Sequence, residues 1–315
     1  MEHPDEIVLV MDLCPQANLT EMLLGGKDSA STALREFYSE KPRRSVGGYF
    51  EARLSSPFMP LSEVANFVVI PREYNNRIPE NVALLPGDNL LELLSEAIRQ
   101  ASQMALPVDA WSKVNSWLLD FYKIYSDQQD YEVAAFIDCN PSFSIYTQIA
   151  LCASEYVVVP YTADDSSRRG IENIFALLYG VTSSELAAYA RISFNKRATE
   201  ELLSLPKIHT FVSNRVTMYK GKPSSAWLAK SGPIKSLISE IRTKNKKLFV
   251  SHHQPAGFFV DMPDYHTVAV VSSSEGCPLS DVTPGHHDVD GDIVQVNKSS
   301  LDKYKKAIKL LVDRM

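Results

Sequence analysis

The chain has 315 residues, of which 45% are hydrophobic and 22% charged, with a net charge of −6; this suffices for one large core or two smaller ones and argues against long disordered stretches. No apolar run approaches the ~20 residues that cross a bilayer, and the opening Met1-Glu-His-Pro-Asp-Glu6 is acidic where a signal peptide is basic, so a cytoplasmic protein without a membrane partner is expected. Cys14, Cys139, Cys152 and Cys277 show no paired metal spacing and read as reduced thiols.

The first element is the run Ile7 to Val10, short and continuously apolar, as in a strand covered on both faces of a parallel sheet. Asp12 stands at its carboxyl end, where ligands collect in open α/β sheets. Ser29 to Tyr38 reads as a short helix and Lys41 to Gly48 as a basic turn. Val64 to Ile70, stopped by Pro71, has the composition of a strand, and Asn81 to Gly87 contains another. Leu90 to Arg99 and Ser112 to Tyr125 carry helical apolar spacing, with Trp111, Trp117 and Phe121 assigned to the core.

A second strand, Val133 to Asp138, again ends on a carboxylate, and a third, Tyr156 to Pro160, leads through Asp164, Asp165 and Gly170 into a helix over 171–179. Two acids at strand ends suit magnesium and phosphate, because hard cations take oxygen ligands and phosphoryl transfer rests on positioning and charge neutralisation. Ile208 to Arg215 is a strand closing on Asn214 and Arg215. Tyr265 to Val271 is read as a further strand and Leu301 to Val312 as an amphipathic helix with a basic outer side. His286 to Asp292 lacks the glycine and the twelfth-position acid of an EF-hand and is taken as a solvated acidic turn; His252-His253 has no third ligand nearby in sequence.

Asp12-Leu-Cys-Pro-Gln-Ala-Asn-Leu-Thr20 resembles the Asp-x-Asp-Pro-Gln-x-Asn switch segment of the ParA/Soj/MinD-type partition ATPases, within the P-loop NTPases. Phe136-Ile-Asp-Cys-Asn-Pro-Ser142 is similar to their Walker B strand, and Val157 to Pro160 with Asp164, Ser167, Gly170 and Glu172 to the strand and helix that follow. The resemblance touches most of residues 7–180. It implies an α/β fold with a mostly parallel sheet flanked by helices on both faces, a three-layer sandwich in which residues 1–315 form one domain, 28–130 being a helical insert region. It further implies a dimer that binds ATP and Mg2+, nonspecific DNA, and a ParB-like stimulating protein. By the same resemblance Asp138 holds magnesium through water, Asp12 assists at the switch, and Asn214 with Arg215 touches adenine.

Two departures accompany the matches. No glycine-rich Lys-Ser/Thr loop occurs in the 315 residues, Gly25-Gly26-Lys27 being a lone glycine pair, so no cradle of backbone N–H groups is evident for phosphates. Cys14 stands where the family carries its second Asp, and a mostly uncharged thiol is a poor base toward water. Both argue against hydrolysis. One explanation is that Met1 is an internal start, with a strand, P-loop and helix of roughly 30 to 40 residues ahead of it; the other is a pseudo-ATPase. Without the P-loop strand, two strand edges are left about 10 Å apart at ordinary spacing, and either the sheet closes or the edges stay unsatisfied.

Charge is unevenly distributed. Residues 191–250 hold 13 Lys or Arg against three acids, a net +10 in a chain of −6. Such a stretch can bind DNA phosphates by counterion release without reading sequence or can be a solvated helix surface with scattered lysines; the resemblance implies the former, with Lys220, Lys222, Lys244, Lys246 and Lys247 singled out. A nucleotide-independent DNA-binding adaptor would use the same lysines. A reductase ATPase holding an iron-sulfur cluster would need better cysteine spacing than Cys139 and Cys152 offer.

Overall fold

The structure, a computed structural model, describes residues 6–140, 142–181, 194–219, 222–251 and 255–315. It divides into two compact units, residues 1–154 with 267–295, and residues 155–266 with 296–315. The first begins with β1 (Glu6–Leu13), α1 (Asn18–Leu23), α2 (Lys27–Ser39), α3 (Val46–Ser55), β2 (Val82–Leu85), α4 (Leu90–Ser102), α5 (Ala110–Asn115), α6 (Trp117–Asp127), β3 (Glu132–Cys139) and α7 (Ile145–Ala153). The second follows with β4 (Tyr156–Tyr161), α8 (Asp165–Tyr179), α9 (Phe194–Glu200), β5 (Lys207–Val216), the short pair β6 (Met218–Tyr219) and β7 (Lys222–Pro223), α10 (Ser225–Lys244) and β8 (Phe259–Pro263). Then come α11 (Thr267–Ser274), β9 (Gly285–Val289), β10 (Asp292–Val296) and the closing α12 (Lys298–Val312).

The strands expected from buried apolar runs are parallel. In the first unit β1 lies between β2 and β3, with Val8 opposite Val82 and Asp12 opposite Asp138. Leu9, Met11 and Leu13 are buried, as a central strand requires. Around them Tyr49, Phe50, Trp117 and Phe121 are fully buried and meet in edge and tilted ring contacts. Arg53 is also buried and is neutralised by Asp120 at 2.9 Å. In the second unit β5 lies between β4 and β8, all parallel. Phe175 and Phe211 build its core with Phe249 and Phe258, while Ala307, Ile308 and Leu311 of α12 pack against Val212, Val260 and Met262. Among the described residues β3 pairs only with β1 and β4 only with β5, so each is an edge strand. No helix of the described residues is long and apolar enough to cross a membrane.

Several segments depart from expectation for local reasons. Gly47 and Gly48 belong to α3 and not to a turn, because the Ser45 hydroxyl caps the helix by accepting the Gly48 N–H at 3.1 Å. Val64 to Ile70 is a 3₁₀ turn over Ala65–Phe67 followed by a single antiparallel bridge from Val69 to Leu84. The helix expected over 112–125 is two helices meeting at Ser116, whose hydroxyl donates back to the Ser112 carbonyl at 2.8 Å. Tyr265 to Val271 is not a strand: β-branched composition favours one, but Val268, Val271 and Ser272 are buried at the i, i+3, i+4 spacing of α11. The acidic turn of 286–292 is the hairpin of β9 and β10, reversed at Asp290 and Gly291, both with positive φ. His252-His253 lies outside the described residues.

The returning segment 267–295 is fastened to the first unit by close backbone approach. Asn75 Nδ2 donates to the carbonyls of Gly276 at 2.7 Å and Leu23 at 3.2 Å. Gly276 has φ +54, and a Cβ there would lie 2.3 Å from the Gly25 carbonyl carbon, while a Cβ on Gly26 would lie 2.1 Å from the Ser274 carbonyl oxygen. His287 reaches Glu275 Oε1 and the Thr283 carbonyl, both at 2.8 Å, with one nitrogen each. Gly276→Ala is therefore expected to destabilise the first unit by about 1–3 kcal/mol through overpacking alone, with backbone strain added. Denaturant unfolding of the variant beside the unsubstituted chain checks this.

Candidate functional site

The register of β1 and β3 sets the site. Residues opposite one another in parallel strands share a face, so Asp12 and Asp138 stand side by side at the carboxyl rim of the first sheet. Their environments differ. Asp12 is fully buried, and its carboxylate accepts three hydrogen bonds: from Cys14 N at 3.0 Å, Thr20 N at 2.9 Å and Thr20 Oγ1 at 2.7 Å. Asp138 is exposed, and among the described residues no group hydrogen-bonds its carboxylate.

The loop between β1 and α1 is shaped by the buried acid. Ala17 adopts φ 56, its N–H returning to the Cys14 carbonyl at 2.9 Å, and the Cys14 thiol donates to Gln16 Oε1 at 2.8 Å. Thr20 Oγ1 also accepts the Gly87 N–H at 2.8 Å, tying this loop to the end of β2. A Cβ on Gly87 would lie 2.9 Å from both the Asp12 carboxylate and the Ala17 methyl, so the approach requires glycine. Tyr38 OH donates to the Gly87 carbonyl at 2.7 Å, and buried Asp88 accepts from Ser45 Oγ at 2.6 Å and from Arg43 at 3.1 Å. Thr20, Gly87 and Asp88 are not among the expected site residues, although Thr20 closes the switch-like segment that suggests the site.

Proton affinities follow the geometry. Burial pushes the Asp12 carboxyl above the usual carboxylate range despite its three donors. Desolvation at the strand end, then the adjacent Asp12, pushes Asp138 up as well. The same causes raise the thiols: Cys14 by burial and then the two acids, Cys139 by burial and then Asp138 up to about 12. This is a rim that resists negative charge and gains from a cation. Among the described residues no three His, Cys, Asp or Glu side chains assemble as a metal-binding set, so a cation here would keep most of its water.

The other expected residues belong to the second unit. Asn214 and Arg215 end β5, both exposed, with Asn214 Oδ1 accepting the Arg215 N–H at 3.0 Å. Arg215 has φ 57 and its guanidinium lies 3.8 Å from Asp264, at an irregularity in the pairing of β5 with β8. Lys222, Lys244, Lys246 and Lys247 are exposed, Lys244 being paired with Glu240 at 2.6 Å, and Lys220 lies outside the described residues. Counted over whole units, the second carries +9 and the first −15. Charge therefore segregates by unit as well as along the chain.

A family model described as an AAA domain matches residues 1–188. No curated protein matches the chain. Among solved structures, the protein DIP2308 of Corynebacterium diphtheriae is similar with a TM-score of 0.56 at 14% identity, over 86% of this chain and 87% of that one. ParA of pNOB8 gives a TM-score of 0.52 at 14% identity, over 98% of this chain and 90% of that one. An ATP complex of McdA from Cyanothece gives 0.50 at 14% identity, over 96% of this chain and 85% of that one. At such identities these structures show a shared fold.

Because both rim carboxyls titrate above their unfolded values, the folded state holds protons more readily, and this pair's contribution to stability falls as pH rises through the raised values. Asp138→Asn is expected to raise the melting temperature at pH 7, with the gain vanishing below about pH 4, where unfolded carboxyls also protonate. Thermal melts across pH check it. Gly87→Ala is expected to cost about 1–3 kcal/mol by crowding Asp12, read by denaturant unfolding.

Proposed function

This chain belongs to the AAA-domain family, and we propose that it works as a ParA-like protein of plasmid or chromosome partitioning, binding ATP with magnesium and nonspecific DNA as a homodimer. The observation that carries the reading is the pairing of Asp12 with Asp138 at one carboxyl rim, where a family-like switch segment and a Walker B-like strand end together. The fold shared with pNOB8 ParA and with McdA, the latter bound to ATP, supports it. So does the coverage of 86 to 98% of the chain by these neighbours, which favours reading residues 1–315 as one ParA-like domain.

The residues present fit part of this role. Asp138, exposed and free of hydrogen-bond donors among the described residues, suits a magnesium-bound water, and Asp12 beside it adds the second acid. Bound magnesium and ATP would supply the electrophilic phosphoryl group. Asn214, with its edge of donor and acceptor, and Arg215 are assigned to adenine. Lys222, Lys246 and Lys247, with Lys220 and Lys244, are assigned to DNA phosphates. No residue of this chain is assigned to gripping the β- and γ-phosphates. A ParB-like partner is proposed to act on the dimer.

A second reading, a nucleotide-independent DNA-binding adaptor, is favoured by one observation: the Asp12 carboxylate is already engaged by three donors, with a thiol at the position of the family's second acid. Titration with MgATP separates the two. Micromolar binding, weakened at least tenfold by Asp138→Ala, is expected of the ATPase-like protein; DNA binding unchanged by nucleotide, with no MgATP affinity, would select the adaptor. For DNA, the double variant Lys246→Ala/Lys247→Ala is expected to lower affinity uniformly across sequences. It should also reduce the slope of log affinity against log salt by about 0.9 for each phosphate that the lysines no longer neutralise, measured by fluorescence anisotropy.

A further inference from the structure

Asp12 and Asp138 look equivalent in sequence, but the structure gives them opposite surroundings. Among the described residues every hydrogen bond to the pair goes to Asp12, from two backbone N–H groups and the Thr20 hydroxyl. That hydroxyl has one proton, which it gives to Asp12, and it uses a lone pair to accept the Gly87 N–H. Thr20 is fully buried and Gly87 is held in turn by Tyr38 OH. The chain of bonds from Asp12 through Thr20 to Gly87 therefore closes the loop of residues 12–20 against the end of β2.

We propose that Thr20 is a positioning residue: it commits the Asp12 carboxylate to holding this loop in one conformation and leaves Asp138 as the acid of the pair that is open to a hydrated divalent cation. The assignment of the cation rests on the reading of the rim given above; the locking of the loop does not. A buried carboxylate that gave up these donors to face a metal would leave two backbone N–H groups and a hydroxyl without partners. The burial of Asp12 and the Cβ-tight approach of Gly87 leave no room for a cation's water shell on that side. In this protein the segment that resembles a nucleotide-responsive switch is thus built as a strut.

Cys14 lies inside the loop, half-buried, and reports on it. Alkylation by N-ethylmaleimide at pH 8, with Cys14 followed by peptide mass spectrometry, is expected to be at least tenfold faster in Thr20→Val, which loses the bridge. Thr20→Ser keeps the hydroxyl and is expected to label at the unsubstituted rate. Mn2+ binding, followed by the electron paramagnetic resonance of free Mn2+ without nucleotide, is expected to be lost in Asp138→Asn and retained in Thr20→Val. Labelling of Thr20→Val within twofold of the unsubstituted chain would overturn the lock. So would loss of Mn2+ binding in Thr20→Val equal to that in Asp138→Asn. Should Thr20→Val not fold, labelling of Thr20→Ser decides: a rate tenfold above the unsubstituted chain would show that the hydroxyl alone does not set the loop. If the unsubstituted chain binds no Mn2+, the magnesium reading falls, and Cys14 labelling still judges Thr20.

Discussion

The parallel register of β1 with β3 is the constraint from which the site follows. A shift of one residue would turn Asp138 to the opposite face and separate the two acids. The register is held by apolar residues, since Leu9, Met11 and Leu13 must stay in the core that Trp117, Phe121 and Tyr49 complete. Packing on one part of the strand thus dictates electrostatics at its end. Burial of the two carboxyls is unfavourable for their charged forms, with Asp12 adding to the cost at Asp138, and their raised proton affinity expresses it. Carboxyls with perturbed proton affinity cluster at functional sites.

Elements whose signal is local were legible in the sequence. Continuous apolar runs marked β1, β3, β4 and β5, although the edge strands β3 and β4 expose Phe136 and Tyr156 while the central strands β1 and β5 carry the buried residues. The helices α2, α4, α8 and α12 follow from apolar spacing. Where competing signals met, tertiary packing decided: the valines of 268–271 have strand propensity but pack as a helix, and Ser116 interrupts what reads as one continuous helix. Asp12 and Asp138 were visible as strand-end acids. Their inequality was not, because it depends on Thr20 meeting Gly87, 67 residues away in sequence. No periodicity or spacing encodes that meeting.

The basic half shows the same limit. Thirteen cations between 191 and 250 are a property of the sequence, but which of them are engaged internally is a property of the fold. Lys196, Arg197, Lys235 and Lys244 each pair with a carboxylate within their own unit. Exposed ion pairs of this kind are worth little to stability, yet they reduce the positive charge presented outward. Lys246 and Lys247 follow the last turn of α10 in a short 3₁₀ segment where the helix's negative end is favourable to them.

The interleaving of the two units has a consequence for synthesis on the ribosome. The residues between α1 and α2 against which Gly276 fits are translated long before Gly276, since the whole of 155–266 comes in between. At about 5–20 residues per second the delay is on the order of ten seconds. During it the nascent chain carries all three strands of the first sheet but lacks the α11 segment that closes over Gly25 and Gly26. Completion of the first unit therefore waits on synthesis of the second unit's strands β4, β5 and β8.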